Sequence, residues 1–277
     1  MLGEFFRRSG IEYFAAVPVS ECRPANRRLY DAMPEGCFAV FCLIPYFTRD
    51  ENKRLAAFAR VPDYHLFSRE LFSEAEECLK AKYPDAYVRG FADHSPVDER
   101  HGAAVAGLGV IGRHGLIINE RYSSLVCIGE LVCSLTREEL VNEGVEVRVG
   151  EVKYCEGCDA CVHACPGGCA DGDKSTCISA ISQKKGELTE DECEALRRSG
   201  SIWGCDVCQM SCPHTKRAIE SGGVYTDIPF FCEASLAGDE GAVIALSDED
   251  YKKYTFSYRK RNVMDRNIKI VRGERFD

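Results

Sequence analysis

The stretch CEGCDACVHACP, residues 155–166, places four cysteines in the spacing C-x2-C-x2-C-x3-C and ends on a proline. This is the spacing of the bacterial ferredoxin run, in which three thiolates bind one 4Fe-4S cluster and the fourth usually binds a second cluster. Pro166 restricts Cys165 to an extended backbone, which helps to turn the chain around the metal. The spacing therefore predicts an iron–sulfur segment and implies a second cluster.

The second cluster is predicted from CDVCQMSCP, residues 205–213, which repeats the end of the same pattern without its first cysteine. Cys177 in KSTCIS is our candidate for the missing ligand, because it lies between the two bursts and outside any strongly periodic apolar segment. Cys169 competes with it. In the ferredoxin pattern each run gives its last cysteine to the other cluster. One cluster would then be bound by Cys155, Cys158, Cys161 and Cys212. The other would be bound by Cys165, Cys177, Cys205 and Cys208.

Two tetrahedral zinc sites are the alternative interpretation, because paired C-x2-C motifs also occur in zinc ribbons. Three linked cysteines with a fourth before proline favour iron–sulfur clusters. The chain has 17 cysteines, and its N-terminus lacks the uninterrupted apolar core of a secretory signal. We therefore expect a cytoplasmic protein, in which clustered cysteines are metal ligands or redox groups and not disulfides. We expect no membrane span, because no apolar run reaches roughly 20 residues.

The first 150 residues alternate strand-like and helix-like segments, which indicates an α/β layer structure. Strands are predicted in IEYFAAVPV, CFAVFCLIPY, AYVRGFAD, LIIN and SSLVCIGELVCSL, and an amphipathic helix in PDYHLFSRELFSEAEECLKAKY. The chain becomes polar and charged around 136–150. We therefore predict three segments: 1–150, a catalytic domain; 151–216, which carries the cysteine bursts; and 217–277, an irregular stretch with a basic tail.

Asp93 stands at the end of the predicted strand AYVRGFAD. Ligands gather at strand ends in α/β sheets, and an aspartic acid there can donate a proton if burial raises its pKa. A role in the turn is the alternative for Asp93. Asp63, His65 and Arg100 are further candidates, although a helical histidine is often a satisfied, partly buried residue.

A helix over 96–106 is predicted after Asp93. Ser95 can cap it, Pro96 suits its first position, and the two acidic residues that follow Val97 favour a helix N-terminus.

GLGVIG, from Gly107 to Gly112, matches the G-x-G-x-x-G pattern of dinucleotide-binding proteins. Such a fingerprint follows a strand and opens a helix, whereas here a predicted helix leads in and the strand-like LIIN follows. We therefore interpret Gly107, Gly109 and Gly112 as a turn in which the backbone approaches a flat ligand or another strand.

Six motifs together resemble those of the epoxyqueuosine reductase family. They are, in chain order, ARVPDYH, FADHSPVDERHGAAVAGLGVIGRHGLIIN, YSSLVCIGELVCSL, CEGCDACVHACP, KSTCIS and IWGCDVCQMSCP. Members of this family are cobalamin-dependent enzymes with two 4Fe-4S clusters that reduce the epoxide of epoxyqueuosine at the tRNA wobble position. The resemblance implies an α/β (α+β) cobalamin-binding domain, followed by a ferredoxin-like domain with two 4Fe-4S clusters.

The resemblance also implies roles for single residues. Asp93, in D-H-S-P, matches the family's proton donor, and Asp63, in D-Y-H, matches an aspartate near its active site. The clusters would pass electrons to cobalt from a donor such as flavodoxin or ferredoxin, while the protein orients the cofactor and supplies the proton. No histidine is expected below the cobalt, because D-x-H-x-x-G is absent. The implied cobalamin-binding residues are His65, Arg100, Gly107, Gly109 and Gly112.

The chain departs from the family in several places. Val110 and Arg113 stand where the family's GWIGKH has tryptophan and lysine, and the chain stops near RNIKIVRG, where a helical-repeat domain that helps hold tRNA would begin. The net charge of −9 argues against broad binding to nucleic acid. Residues 252–277, however, carry nine Lys/Arg against three Asp/Glu. We expect this basic tail to contact tRNA phosphates; a solvated terminal helix is the alternative.

Four functions are compatible with the sequence, and one of them, a zinc-bound interaction module, would give a colourless protein. Epoxyqueuosine reduction on tRNA is favoured by the combined motifs. A corrinoid-dependent reductase of a small molecule would bind its substrate without competition from tRNA. An iron–sulfur electron-transfer protein would hold clusters without stoichiometric cobalt.

Overall fold

The computed structural model describes residues 1–170 and 172–274. The chain forms two compact units. The first comprises residues 1–45, 64–112 and 116–156, and the second comprises 46–63, 113–115 and the described residues from 157 onwards. The three segments expected from the sequence, with boundaries near 150 and 216, stay a prediction.

The first unit is built on one four-stranded sheet. Its helices and strands are α1 (Leu2–Arg8), β1 (Phe14–Pro18), α2 (Arg27–Tyr30), β2 (Phe38–Pro45), α3 (Tyr64–Lys82), β3 (Val88–Phe91), α4 (Glu99–Val105), β4 (Val110–Ile111), β5 (Ile117–Ile118), β6 (Val126–Cys133) and α5 (Arg137–Asn142). The strand order is β1-β2-β6-β3, and β4 pairs with β5 in a separate hairpin.

All three ladders of the four-stranded sheet are antiparallel. The predicted mixed fold of helices and strands is confirmed. Of the two classes named for it, α/β and α+β, the antiparallel pairing selects α+β, because parallel strands joined by crossover helices define the α/β class. The predicted strands around 11–19, 37–46, 86–93 and 123–135, and the helix over 62–83, are confirmed with shifted ends.

The helix after Asp93 begins later than its pattern predicts. α4 starts at Glu99, and the Asp98 carboxylate caps it by accepting from the N–H groups of Arg100 and His101. Ser95 is therefore not the cap. α4 lies close to the sheet at Gly102, where an added Cβ would collide with the Phe41 ring.

The second unit is mainly helical. Its helices are α6 (Ala160–Ala164), α7 (Ile178–Ser182), α8 (Glu190–Ser199), α9 (Val207–Met210), α10 (Pro213–Glu220), α11 (Pro229–Cys232), α12 (Glu240–Ile244), α13 (Asp248–Tyr251) and α14 (Arg261–Arg272). Short 3-10 helices lie at Ala57–Ala59, Lys174–Thr176 and Thr255–Tyr258. No helix within the described ranges is long and apolar enough to cross a membrane.

The core of the second unit forms around Trp203, which is fully buried and lies edge-on to the ring of Phe256. Leu55, from the segment between β2 and α3, belongs to the same core. The buried side-chain amide of Asn267, on α14, donates to the carbonyl groups of Ser182 and Ile202. α14 is thereby fixed to the chain on both sides of α8.

Candidate functional site

Asp93 lies in the loop that joins β3 to α4. Its φ of 64° is left-handed, a conformation that aspartate tolerates better than most residues other than glycine. Its N–H donates to Oε1 of Glu99 at 2.9 Å. Its Oδ2 accepts from the Tyr64 hydroxyl and lies 3.1 Å from Nε2 of His65. Backbone and carboxylate of Asp93 are thus held by separate groups.

The pKa of Asp93 lies below its usual value. Burial acts to raise this pKa, but the hydrogen bonds from His65 and Tyr64, together with the charge of nearby histidines, outweigh it. The condition under which Asp93 would itself hold a proton, a pKa raised by burial, is therefore not met. Asp93 is the ionised, hydrogen-bonded carboxylate of this site.

Tyr64 and His65 open α3, and their rings stack with centroids 4.2 Å apart. Sequence reasoning selected His65 but missed Tyr64, although Tyr64 stands in the same D-Y-H motif. Asp63 belongs to the second unit, where its N–H donates to the Lys253 carbonyl at 2.7 Å. A catalytic role of Asp63 stays a prediction.

A cavity of about 490 Å³ opens beside Asp93 in the first unit. Tyr64, Ser95, Glu99 and Arg100 also line it. The Arg100 side chain is 54% exposed, and its Nε lies 3.6 Å from Oδ1 of Asp98. The structure therefore brings Arg100 and Asp93, both predicted from sequence, to one cavity.

A second cavity of similar volume is lined by His65, Ser68, Arg69 and Ala92. The hydroxyl of Ser68 is buried there without a hydrogen-bond partner among the described residues. The hydrogen bond between His65 and Asp93 therefore joins the linings of the two cavities.

Two acidic residues behind Asp93 were missed by sequence reasoning. Glu130 lies fully buried on β6, and its Oε2 accepts from the Ser95 hydroxyl. Burial raises the pKa of Glu130 to about 8, although the Ser95 hydrogen bond opposes the shift. Burial and the Asp93 charge raise the pKa of Glu99 to about 8. Both side chains are therefore protonated around neutral pH, when Asp93 is ionised.

The GLGVIG segment links α4 to the β4–β5 hairpin. Gly107 has a φ of 71°, and the N–H of Gly112 donates to the Leu116 carbonyl at 2.8 Å. A Cβ at Gly109 would meet the carbonyl oxygen of Ile118 at 2.5 Å. The predicted close approach to another strand is confirmed at Gly109, whereas contact with a ligand stays a prediction.

Of the two residues that depart from the family pattern, Val110 lies within this segment and Arg113 directly follows it. Val110 pairs with Ile118 in the hairpin. Arg113 forms an ion pair with Asp159, just before α6. Arg113 thus supports the start of the cysteine segment within the second unit.

Five cysteines of the second unit interact with one another. The Cys169 Sγ lies 3.7 Å from that of Cys165 and also forms a hydrogen bond with the Cys177 thiol. Cys205 and Cys208 lie within electrostatic range of Cys165 and Cys177. The four thiols predicted for one cluster thus share a region, which fits an iron–sulfur donor set chemically, but Cys169 shares it too.

The other predicted set lies at the start and end of the cysteine segment. Cys155 falls in the first unit, while Cys158, Cys161 and Cys212 fall in the second. Cys165 and Cys212 both have extended backbones before their prolines, as predicted. Over residues 1–170 and 172–274, no group of three or more His, Cys, Asp or Glu side chains has a metal-binding arrangement. Both ligand sets stay predictions.

The arginines of the basic tail serve mainly as structural donors. Arg261 donates to the Leu246 carbonyl, Arg266 to the Lys184 carbonyl at 2.9 Å, and Arg259 to the Gln183 carbonyl at 2.9 Å. Arg272 pairs with Glu240 at 3.1 Å. Arg275, also counted in the tail, lies outside the described residues. These contacts favour the terminal-helix interpretation of the tail.

Comparison with curated proteins supports the resemblance seen in the motifs. No protein-family model matches the chain. The epoxyqueuosine reductase of Cyclobacterium marinum is 30% identical over 196 residues, which cover 68% of this chain and 60% of that protein. The epoxyqueuosine reductase of Gloeobacter violaceus is 28% identical over 220 residues, which cover 75% and 65%. The matched part therefore spans less than two thirds of the length of these relatives.

Solved structures share the fold. An epoxyqueuosine reductase crystallised with an epoxyqueuosine-modified tRNA-Tyr stem loop superimposes with a TM-score of 0.70 and 20% identity. The superposition covers 98% of this chain and 79% of that protein. The predicted resemblance is confirmed by these relatives, and the mixed helix–sheet fold with an antiparallel sheet is common to them.

Proposed function

We propose that this chain, whose relatives in sequence and fold are epoxyqueuosine reductases, is a cobalamin- and iron–sulfur-dependent oxidoreductase that reduces epoxyqueuosine to queuosine in tRNA. The observation that carries the proposal is Asp93, at the end of β3, held by Tyr64 and His65 beside a cavity of about 490 Å³. Its sequence context, D-H-S-P, resembles that of the family's proton donor.

Removal of an epoxide oxygen as water consumes two electrons and two protons. When bound, cobalamin supplies the reducing centre, and two 4Fe-4S clusters supply it with single electrons. Asp93 supplies a proton to the departing oxygen. Because its own pKa is low, the proton comes through its hydrogen bond with His65, and Tyr64 keeps Oδ2 in place.

We assign the residues that bind cobalamin and the clusters from the family resemblance and from their positions in the structure. Arg100 lines the Asp93 cavity, and His65 lines the adjoining one, so both can contact bound cobalamin. Gly107, Gly109 and Gly112 form a turn with little side-chain bulk. Cys155, Cys158, Cys161 and Cys212 would hold one cluster, and Cys165, Cys177, Cys205 and Cys208 the other.

The proposed reaction has two partners, a tRNA and an electron donor such as flavodoxin or ferredoxin. Because its substrate is a tRNA, we expect the enzyme to act in the cytoplasm. A relative crystallised with a modified tRNA stem loop supports tRNA as the substrate. Among the described arginines of the tail, Arg259, Arg261 and Arg266 donate to carbonyl groups, and Arg272 pairs with Glu240. The exposed lysines are therefore the better candidates for phosphate contact on that segment: Lys252, Lys260 and Lys269.

Reduction of a small molecule by the same cofactors is the second candidate. The net charge of −9 and the occupied tail arginines favour it, because both weaken electrostatic attraction of nucleic acid. An excess of unmodified tRNA would inhibit the enzyme only if tRNA is its substrate.

Anaerobic purification with added cobalamin, metal analysis and electron paramagnetic resonance test the cofactors first. We expect about eight irons and one cobalt per chain, with a cobalt(II) spectrum that lacks nitrogen coupling. The protein is then incubated with an epoxyqueuosine-containing tRNA stem loop and a chemical reductant, and the nucleoside product is measured. Iron without cobalt would favour an electron carrier and contradict the proposal.

A further inference from the structure

The loop from Asp93 to Asp98 is fixed to two acidic side chains at different points. Near its start, the Asp93 N–H donates to Oε1 of Glu99 at 2.9 Å. Two residues further on, the Ser95 hydroxyl donates to Oε2 of the fully buried Glu130, and the same hydroxyl lies 3.4 Å from the N–H of Val97. The loop is therefore held by a hydrogen bond on each side of His94.

The left-handed backbone of Asp93 requires such support. A residue other than glycine in this region carries backbone strain, which surrounding contacts must offset. The hydrogen bond to Glu99 is the backbone contact that acts directly on this residue. Without it, the loop is free to relax, and the carboxylate moves away from Tyr64 and His65.

We propose that Glu99 is a positioning residue, which holds the Asp93 loop in its left-handed conformation and thereby keeps the Asp93 carboxylate between Tyr64 and His65. The inference rests on the proposed function for its catalytic meaning, but the conformational role can be measured without turnover. The hydrogen bond from Ser95 to Glu130 is the second contact that fixes the same loop.

The charge state of Glu99 suits this role. Burial, followed by the charge of Asp93, raises the pKa of Glu99 to about 8. A protonated Glu99 can accept the Asp93 N–H through its carbonyl oxygen without adding a second negative charge beside the carboxylate. Asp98 and His65 also face it electrostatically, the first raising and the second lowering its pKa.

Two substitutions separate the hydrogen bond from the charge. Glu99→Gln keeps an acceptor oxygen and the neutral charge, whereas Glu99→Ala removes the acceptor. Glu76→Ala is the matched control, because Oε1 of Glu76 accepts the Gly90 N–H at the same 2.9 Å, on the neighbouring strand β3. All three are made in the full chain, loaded with both cofactors.

Amide hydrogen exchange of peptides that contain Asp93 is the first readout and needs no substrate. We expect Glu99→Ala to speed exchange at Asp93 by about tenfold, which corresponds to one lost hydrogen bond of ordinary strength, and Glu99→Gln to speed it by less than about threefold. Glu76→Ala should speed exchange at Gly90 and leave Asp93 at the wild-type rate. Equal protection of Asp93 in wild type and Glu99→Ala would overturn the inference.

Turnover of the tRNA stem loop is the second readout. We expect Glu99→Ala to lower kcat by about tenfold with KM within about twofold, and Glu99→Gln to retain at least a third of kcat. A wild-type kcat in Glu99→Ala would also overturn the positioning role. Wild-type protein that binds both cofactors but fails to reduce the stem loop would reject the proposed function alone, because the exchange result stands independently of it.

Discussion

The hydroxyl of Tyr64 donates a hydrogen bond to Oδ2 of Asp93, the oxygen that also lies 3.1 Å from Nε2 of His65. Both contacts favour the ionised carboxylate and lower the pKa of Asp93 despite burial. The phenol therefore tunes the charge state of Asp93 as well as its position.

Tyr64→Phe should raise the pKa of Asp93, because it removes a donor to the ionised form. Because Asp93 must hold a proton when it passes one to the departing oxygen, we expect the alkaline limb of the pH profile of kcat, where activity falls as pH rises, to move to higher pH by about one unit. Tyr13→Phe, which removes a phenol that donates to the exposed Glu120, should leave the limb in place. A limb that moves to lower pH would mean that Tyr64 does not stabilise the ionised form.

Asp93→Asn should retain both cofactors and lower turnover by at least about 100-fold, since the amide cannot pass on a proton. Asparagine tolerates the left-handed backbone, so the loop should keep its conformation. Iron and cobalt analysis and single-turnover reduction of the stem loop check this. Asp31→Asn, at an exposed ion pair with Arg27, serves as control. Full activity in Asp93→Asn would remove this residue from the mechanism.

The raised pKa of Glu130 should lower the free energy of unfolding as pH rises. Its pKa of about 8 in the folded state exceeds the ordinary value of 4.5, so the folded chain binds more protons than the unfolded chain between these limits. The free energy of unfolding should therefore fall between about pH 5 and 8, by up to about 1.4 kcal/mol per pH unit from this group.

Glu130→Gln should flatten that slope and keep an acceptor for the Ser95 hydroxyl. Glu99 and the Cys22 thiol also face Glu130 electrostatically, so the slope is compared between wild type and variant by denaturant unfolding at several pH values. The exposed Glu70→Gln should keep the wild-type slope. Parallel curves for wild type and Glu130→Gln would contradict the assignment of a raised pKa.

Cys177→Ala should reduce the iron content from about eight to about four per chain, while Cys169→Ala should retain about eight. The two thiols interact directly, and Cys169 also lies 3.7 Å from Cys165, so the pair forms a matched comparison. Iron analysis and the spectra of the reduced clusters measure the outcome. The reverse pattern would make Cys169 the ligand.

Arg266→Ala should destabilise the second unit by about 1 to 3 kcal/mol, because its guanidinium donates to the Lys184 carbonyl and to Oδ1 of Asn267. Affinity for the tRNA stem loop should stay within about twofold, apart from any loss of folded protein. Lys269→Ala, on the exposed side of the same helix, should leave stability unchanged. Weaker RNA binding by Arg266→Ala at unchanged stability would restore the tail arginines as phosphate contacts.

Local patterns predicted much of the first unit. Apolar runs located β2 and β6, and the helical period located α3 within two residues at each end. The antiparallel pairing could not be read from those runs, because a strand buried on both faces has the same apolar composition in parallel and antiparallel sheets. The start of α4 was misplaced because Ser95 matches a cap in sequence, whereas its hydroxyl is used by Glu130, 35 residues away.

The candidate site was predicted in part. Motif resemblance selected Asp93, and the structure adds Tyr64 and Glu99 through contacts that span 29 and 6 residues. The direction of the Asp93 pKa shift could not be predicted, because it depends on whether hydrogen-bond donors or burial prevail. The sequence did not indicate that Glu130 is buried, because a glutamate inside an apolar run is normally interpreted as a solvent-facing position of the strand.

The segment 46–63 leaves the first unit after β2, contributes Leu55 to the core around Trp203, and returns at α3. α14 contributes Met264 to the same core and donates through Asn267 to the chain on both sides of α8. A gene fragment that encodes only residues 151–216 would therefore yield a chain without its apolar partners. Recombination could exchange this cysteine segment between proteins only together with two distant stretches of sequence, which makes the second unit a poor substrate for domain shuffling.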